Sequence, residues 1–261
     1  MSTSRPARWG AAVLLAGIAA SACGAEPASP AEAPGSTTST ASPSATSSTS
    51  SGEPSATREA LRWDEDHLTG SGGTFTWDVT VPRAAGPAVA GEVNRRVAAS
   101  ADHVVEAAAA TVRDGDPPRL LTGEGTVTTD DGRTVQVVLE FVDSTEGAAH
   151  PTTSVTTVVL DVGRERPVVL GDVFDDPRAA FEELAPVVEE IADASGEPVT
   201  DPEGLAPEEV NWAAWQSGED GITFWFQDYQ LGGHGTRQYL VPWDRAGHLL
   251  TPGARVLLAP V

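Results

Sequence analysis

The sequence predicts an α+β fold in which antiparallel sheets are combined with two main helices. Several short segments alternate apolar and polar residues, as half-buried strands do; residues 74–81 are the clearest example. Two longer segments space their apolar residues near the helical period, and turn dipeptides such as Asp131-Gly132 join neighbouring strands. Helices and strands are thus segregated along the chain, which is typical of α+β proteins.

The first half of the predicted fold, residues 58–145, contains a strand, a long helix and a hairpin. Residues 74–81 place Phe75, Trp77 and Val79 on one face of a strand. The alanine-rich stretch that follows Pro87 predicts a helix over about residues 88–113. Two strands are expected on either side of Asp131-Gly132.

The second half, residues 146–261, continues with a hairpin, a second helix and three strands. Asp176 is a good N-cap and Pro177 suits the first helical position, so a helix begins there, and Pro186 should kink or split it. The expected strands cover residues 152–161, 166–170, 211–215, 222–226 and 237–243.

The charge of the chain is strongly negative. The chain has 38 acidic side chains and 16 basic ones, all arginine, so its net charge is -22. This balance excludes nucleic acid as a partner, because that role needs clustered positive charge. Without lysine, Schiff-base chemistry and a phosphate-binding P-loop are excluded as well. Residues 58–261 carry 35 acidic and 14 basic side chains. A solvated acidic surface explains such an excess; the more specific alternative is that the domain binds a cationic partner.

The first 22 residues have the layout of a signal peptide. Arg5 and Arg8 precede an apolar run over residues 11–20, which is shorter than the roughly 20 residues that span a bilayer. The run ends in Ala-Ser-Ala-Cys-Gly, which resembles the lipobox of bacterial lipoproteins. That resemblance implies that Cys23, the single cysteine, is lipid-modified and holds the protein at the extracytoplasmic face of the membrane. The alternative is ordinary cleavage that releases a soluble protein.

Residues 23–57 predict a disordered tether. Apart from Cys23 and three glutamates, this segment contains only Ala, Ser, Thr, Pro and Gly. No large apolar side chain offsets the entropy of ordering it. As a flexible coil it would hold the folded domain, residues 58–261, about 30 Å from the membrane.

Catalytic signatures are absent from the sequence. It contains no Gly-x-Ser-x-Gly, His-Glu-x-x-His, P-loop or dinucleotide-binding pattern. A site built from His150, His234 and a carboxylate such as Asp172 requires folding to bring them together. We expect no cofactor and no metal. His150, which lies between alanine and proline, should stabilise a turn, while Tyr229 and Trp243 should be core anchors with a polar tip. These five residues are the candidate binding residues.

A family resemblance extends over residues 146–251. It is carried by spaced motifs in a fixed order: Gly147-Ala148-Ala149-His150-Pro151, Asp161, residues 169–174 (Val-Leu-Gly-Asp-Val-Phe), Asp220-Gly221, Phe224-Trp225-Phe226, Tyr229, Gly235 and Val241-Pro242. This order resembles the C-terminal half of the RsiV-type extracytoplasmic domain, whose members include a lysozyme-binding anti-sigma factor and a secreted mycobacterial antigen. Residues 230–235 depart from the family's tyrosine- and proline-rich loop.

The resemblance implies a non-catalytic extracytoplasmic domain that binds a protein or a cell-wall component. A domain of net charge -21 would attract a cationic protein such as lysozyme and accelerate the encounter. Two alternatives stay open. One is an envelope hydrolase or wall-modifying enzyme that uses His150 and nearby carboxylates. The other is a structural envelope lipoprotein with no specific ligand.

Overall fold

A computed structural model describes residues 60–259 of the chain. The predicted signal peptide, the lipidation site at Cys23 and the tether lie outside the described residues. Within residues 60–259, no helix is both long enough and apolar enough to cross a membrane.

The described chain forms two sheets and several helices. The strands are β1 (Arg62–Gly72), β2 (Phe75–Ala85), β3 (Arg119–Asp130), β4 (Thr134–Thr145), β5 (Thr152–Asp161), β6 (Arg166–Pro167), β7 (Ala214–Ser217), β8 (Gly221–Phe226) and β9 (Arg237–Pro242). The helices are α1 (Val89–Ala109), α2 (Leu170–Val173), α3 (Pro177–Ser195), α4 (Trp243–Ala246) and α5 (Pro252–Leu258). Short 3₁₀ turns cover Pro202–Leu205, Glu209–Trp212 and Gly247–Leu249.

The larger sheet has six strands in the order β1-β2-β3-β4-β5-β6. All neighbours are antiparallel except β2 and β3, which are parallel. Helix α1 supplies the long connection that a parallel pair needs. It packs on one face of the sheet through Val93, Val97 and Ala101, which are fully buried against Phe75 and Phe141 of the strands. On the opposite face, none of the described helices packs against β1, β2 or β3.

The smaller sheet has three antiparallel strands, β7-β8-β9, and packs on α3. Asp176 caps α3 by accepting a hydrogen bond from the Ala179 N–H, as predicted. The core between them centres on Trp212, whose ring stacks on Phe181 at 5.0 Å between centroids. Apolar side chains from the C-terminal helices complete this core, among them Leu258 of α5.

The two sheets contact each other across β4, β5 and β7. Val138, Val155 and Ala214 form a small buried cluster there. The buried amide of Gln136 bonds the backbone of Ser217 in both directions, as donor and as acceptor. These contacts cover only the β4–β5 part of the helix-free face. The part formed by β1, β2, β3 and the end of β4 stays open to solvent.

The α+β class and most of the predicted elements are confirmed. Strand β5 has the predicted bounds, and α1 is shorter than its prediction by a few residues. The expected boundary at residue 146 falls between β4 and β5, which pair in one sheet.

Three element predictions are wrong in part. The strand expected over residues 166–170 is only the two residues of β6, because α2 begins at Leu170. The strand expected over residues 211–215 lies at Ala214–Ser217, because Trp212 ends a 3₁₀ turn. Pro186 does not split α3. Both Pro186 and Glu182 are exposed, so the carbonyl of Glu182 that lacks an intrahelical donor can bind water.

Candidate functional site

His150 and His234 lie side by side on the surface. They come from distant parts of the chain, the turn before β5 and the loop between β8 and β9, and their ring centroids are 4.1 Å apart. The hydroxyl of Tyr229 lies 2.9 Å from Nε2 of His150. We call His150, Tyr229 and His234 the histidine cluster. Three of the five candidate binding residues are therefore brought together by the fold.

A buried carboxylate holds this cluster in place. The Asp228 side chain is only 1% exposed, whereas that of His234 is 41% exposed. Oδ1 of Asp228 accepts the Gly235 N–H and lies 3.0 Å from Nδ1 of His234. Its Oδ2 accepts the N–H of Thr153, the second residue of β5. Asp228 thus fastens the β8–β9 loop to the edge of the larger sheet.

Tyr229 projects into solvent instead of entering the core. The residue is 48% exposed, and its φ of 63° lies in the left-handed region, which few non-glycine residues adopt. The prediction that Tyr229 anchors the core is wrong; Tyr239 on β9 is the buried tyrosine. His150 does bond the local backbone, as predicted, because its Nδ1 lies 3.1 Å from the Pro151 carbonyl oxygen.

The other two candidate binding residues lie elsewhere and have structural contacts. Asp172 accepts two hydrogen bonds from the Arg166 guanidinium, which holds the pKa of this carboxyl below its usual range. Trp243 is half-buried against the smaller core, and its Nε1–H donates to the carbonyls of Gly218 and Glu219. Trp243 is thus an anchor with a polar tip, as predicted. The carboxylate beside the histidines is Asp228, not Asp172.

The open part of the larger sheet is the second candidate surface. Side chains that share this face are register partners across β1 to β4, and four of them are exposed carboxylates: Glu65, Asp78, Glu124 and Glu140. We call this the open acidic face. The strand registers place no arginine on it among β1 to β4. Thr153, which binds Asp228, is the register partner of Val142, so the histidine cluster borders the open acidic face.

Two of these carboxylates oppose each other directly. Glu124 of β3 is the register partner of Glu140 on β4. Side chains at directly opposite positions of antiparallel strands lie about 4.5–5.5 Å apart at Cβ, and like charges there are destabilising. On its other side Glu124 neighbours Thr80, whose hydroxyl bonds His67 of β1. This row of side chains therefore concentrates negative charge on an exposed strand surface.

The arginines are largely engaged by the domain's own groups. Among residues 60–259, eight arginines form ion pairs, which are Arg95 and Arg96 with Glu92, Arg119 with Asp143, Arg133 with Asp131, Arg164 with Asp161, Arg166 with Asp172, Arg178 with Glu182, and Arg245 with Glu190. Arg237 and Arg255 donate to backbone carbonyls. The excess acidic charge is therefore left on the surface, where it can act on a partner.

The described residues contain no group of three or more His, Cys, Asp or Glu side chains arranged to hold a metal ion. The chemistry within reach of the histidine cluster is that of two imidazoles and a phenol, which can exchange protons or donate lone pairs.

The fold is shared with solved structures of low sequence identity. A DUF3298 family protein from Bacteroides fragilis matches with a TM-score of 0.54 and 16% identity, covering 76% of this chain and 96% of its own. A second one, from Pseudomonas aeruginosa, matches with a TM-score of 0.52 and 13% identity, covering 74% and 94%. The fold is DUF3298-like.

DUF3298 proteins are related to the C-terminal domains of RsiV proteins. The resemblance to RsiV-type domains that the sequence indicated therefore agrees with these structures at the level of the fold. No protein-family model matches the sequence, and no curated protein matches it. At these identities the DUF3298-like structures establish the fold alone.

Sequence reasoning missed Asp228 and the open acidic face. A signal for the first was present in the loop that follows β8. Gly232, Gly233 and Gly235 crowd there, and all have positive φ, which is the mark of a chain that folds tightly back on itself. The open acidic face could not be read from the sequence, because its four carboxylates lie on four different strands.

Proposed function

We propose that this chain is a lipid-anchored, non-catalytic binding protein of the bacterial cell envelope, and that it binds a cationic protein such as lysozyme through the open acidic face. One observation carries the proposal: Glu65, Asp78, Glu124 and Glu140 share an exposed sheet face on which the described strands β1 to β4 place no arginine. A basic protein surface would offset this charge and steer the encounter.

The opposed pair Glu124 and Glu140 gives a second reason to expect a cationic partner. Because the two carboxylates repel each other in the free domain, they lower its stability. A partner that places an arginine or lysine between them relieves this repulsion, so part of the binding energy is supplied by the domain itself. A residue pair that lowers stability and serves binding is typical of functional surfaces.

The test is titration of lysozyme into the full chain carrying Cys23→Ala, at low and at moderate salt. We expect binding at low salt that weakens as salt rises, because salt screens exposed charges. Glu124→Gln with Glu140→Gln should weaken binding by about 0.2 to 1 kcal/mol per lost charge pair. The same variant should be more stable than its parent, with a free energy of unfolding in urea that is higher by about 0.2 to 1 kcal/mol.

The matched control removes two exposed charges on α3, by Glu189→Gln with Asp193→Asn. This control should bind lysozyme nearly as well as the parent. If it loses as much affinity as the Glu124 and Glu140 variant, the open acidic face is not the binding surface. If the parent does not bind lysozyme at low salt, the proposed partner is wrong.

Anchoring is tested separately in cells. Cys23→Ala should move the protein from the membrane fraction to the soluble fraction, because the variant lacks the thiol that would carry the lipid. Equal membrane retention of the variant and the parent would contradict the lipid anchor.

A further inference from the structure

We propose that the histidine cluster is a surface site for a divalent transition-metal ion of the kind that imidazole prefers, Zn²⁺, Cu²⁺ or Ni²⁺. Nε2 of His150 and Nε2 of His234 would be its protein nitrogen ligands. This inference goes beyond the proposed function and does not depend on it, since it rests on the two rings, 4.1 Å apart, and on the groups behind them.

The hydrogen bonds behind each ring decide which nitrogen carries the lone pair. Asp228 is a carboxylate and only accepts, so Nδ1 of His234 must carry the hydrogen that it donates across 3.0 Å. The Pro151 carbonyl oxygen likewise only accepts, so Nδ1 of His150 donates to it across 3.1 Å. In the neutral imidazoles both Nε2 atoms then carry the lone pair that binds a metal.

This arrangement is the one found behind metal-binding histidines. Such residues almost always donate their second ring N–H to a carboxylate or a backbone carbonyl, which fixes the ring orientation and raises the basicity of the ligand nitrogen. Here His234 donates to a carboxylate and His150 donates to a backbone carbonyl. The carboxylate of Asp228 is itself fixed by the N–H groups of Thr153 and Gly235, so His234 is held in place by the larger sheet.

The remaining ligands would be oxygen atoms. The Tyr229 hydroxyl lies 2.9 Å from Nε2 of His150, at hydrogen-bond distance. A bound ion would take over this lone pair with the phenol oxygen beside it as a further ligand, and water can reach the exposed cluster. The acidic domain raises the local concentration of cations at this site. Two nitrogen and several oxygen donors exclude a preference for Mg²⁺ or Ca²⁺, which take oxygen ligands.

The experiment is calorimetric titration of Zn²⁺ into the full chain carrying Cys23→Ala, in buffer with excess Mg²⁺. The substitution removes the single thiol, a competing ligand, and Mg²⁺ occupies the surface carboxylates. We expect one equivalent of Zn²⁺ to bind. His150→Ala or His234→Ala should weaken binding at least about tenfold, the size of loss that even an outer-shell change causes. With Cu²⁺, paramagnetic resonance should show coupling to two nitrogens.

The matched control is His103→Ala with His248→Ala, which removes two exposed imidazoles elsewhere and should bind Zn²⁺ as the parent does. Circular dichroism of each variant reports its folding. The proposal is overturned if the parent binds no Zn²⁺ in the presence of Mg²⁺. It is also overturned if the folded double variant His150→Ala with His234→Ala binds as tightly as the parent.

Discussion

At the residue scale, Asp228 shows how one buried carboxylate can organise a surface. Its two oxygens accept from two backbone N–H groups and one imidazole, which lie on two separate segments of chain, the start of β5 and the β8–β9 loop. Buried carboxylates persist only when such donors replace water. Tyr229, the next residue, is left exposed with a strained backbone. A strained, exposed residue beside a rigid, buried one is a common arrangement at binding sites.

Asp228→Asn should destabilise the folded protein by about 1 to 3 kcal/mol, because its amide would point an N–H at one of the N–H groups that the carboxylate now accepts. The measurement is the free energy of unfolding in urea. Asp220→Asn, in the exposed turn before β8, makes the same charge change and should shift that free energy by no more than about 0.5 kcal/mol. Equal losses in the two variants would contradict the role given to Asp228.

At the element scale, the sequence predicted those elements whose pattern is local. The strand β5 and the start of α3 follow from alternation and from the Asp176-Pro177 cap. Strand β1 was missed because most of its side chains are exposed and three are acidic, as suits the edge of a sheet, and only the side chains of Trp63 and Leu68 are half-buried. The pairing of His150 with His234 could not be predicted from the sequence, because it depends on how β5 and the β8–β9 loop meet in space.

The β3–β4 hairpin depends on Asp131 at its turn. Burial alone would raise the pKa of the Asp131 carboxyl, but the N–H groups of Thr134 and Arg133, together with the Arg133 guanidinium, hold that pKa below its ordinary value. A pKa that is lower in the folded state means that the charged form stabilises the fold. This contribution is complete above the ordinary carboxyl pKa of about 3.9, and is lost as pH falls through the lower folded value.

Asp131→Asn should therefore be less stable than the parent above about pH 5, and the difference should shrink as pH falls below about 4. The measurement is the urea midpoint of both proteins across this range. For Asp220→Asn we expect a midpoint difference from the parent that changes little with pH. A deficit of Asp131→Asn that stays constant down to about pH 3 would show that the carboxyl makes no charge-dependent contribution.

At the scale of the whole molecule, the excess acidic charge acts on the fold as well as on partners. Residues 58–261 carry a net charge of -21, and most of the arginines among residues 60–259 are already paired within the domain or bonded to its carbonyls. Folding compresses these like charges into a smaller volume, which destabilises the compact state. Added salt shortens the reach of this repulsion from about 30 Å at 0.01 M to about 10 Å at 0.1 M.

The free energy of unfolding should therefore rise as sodium chloride increases over this range, while lysozyme binding weakens over the same range. Both effects have one cause, since salt screens the repulsion within the domain and the attraction to its partner alike. Glu124→Gln with Glu140→Gln removes one pair of opposed carboxylates, so its stability should rise less steeply with salt than that of the parent. Urea unfolding at several salt concentrations, beside lysozyme titration in the same buffers, measures both slopes. If added salt raises both the free energy of unfolding and the affinity for lysozyme, or lowers both, the electrostatic account is wrong.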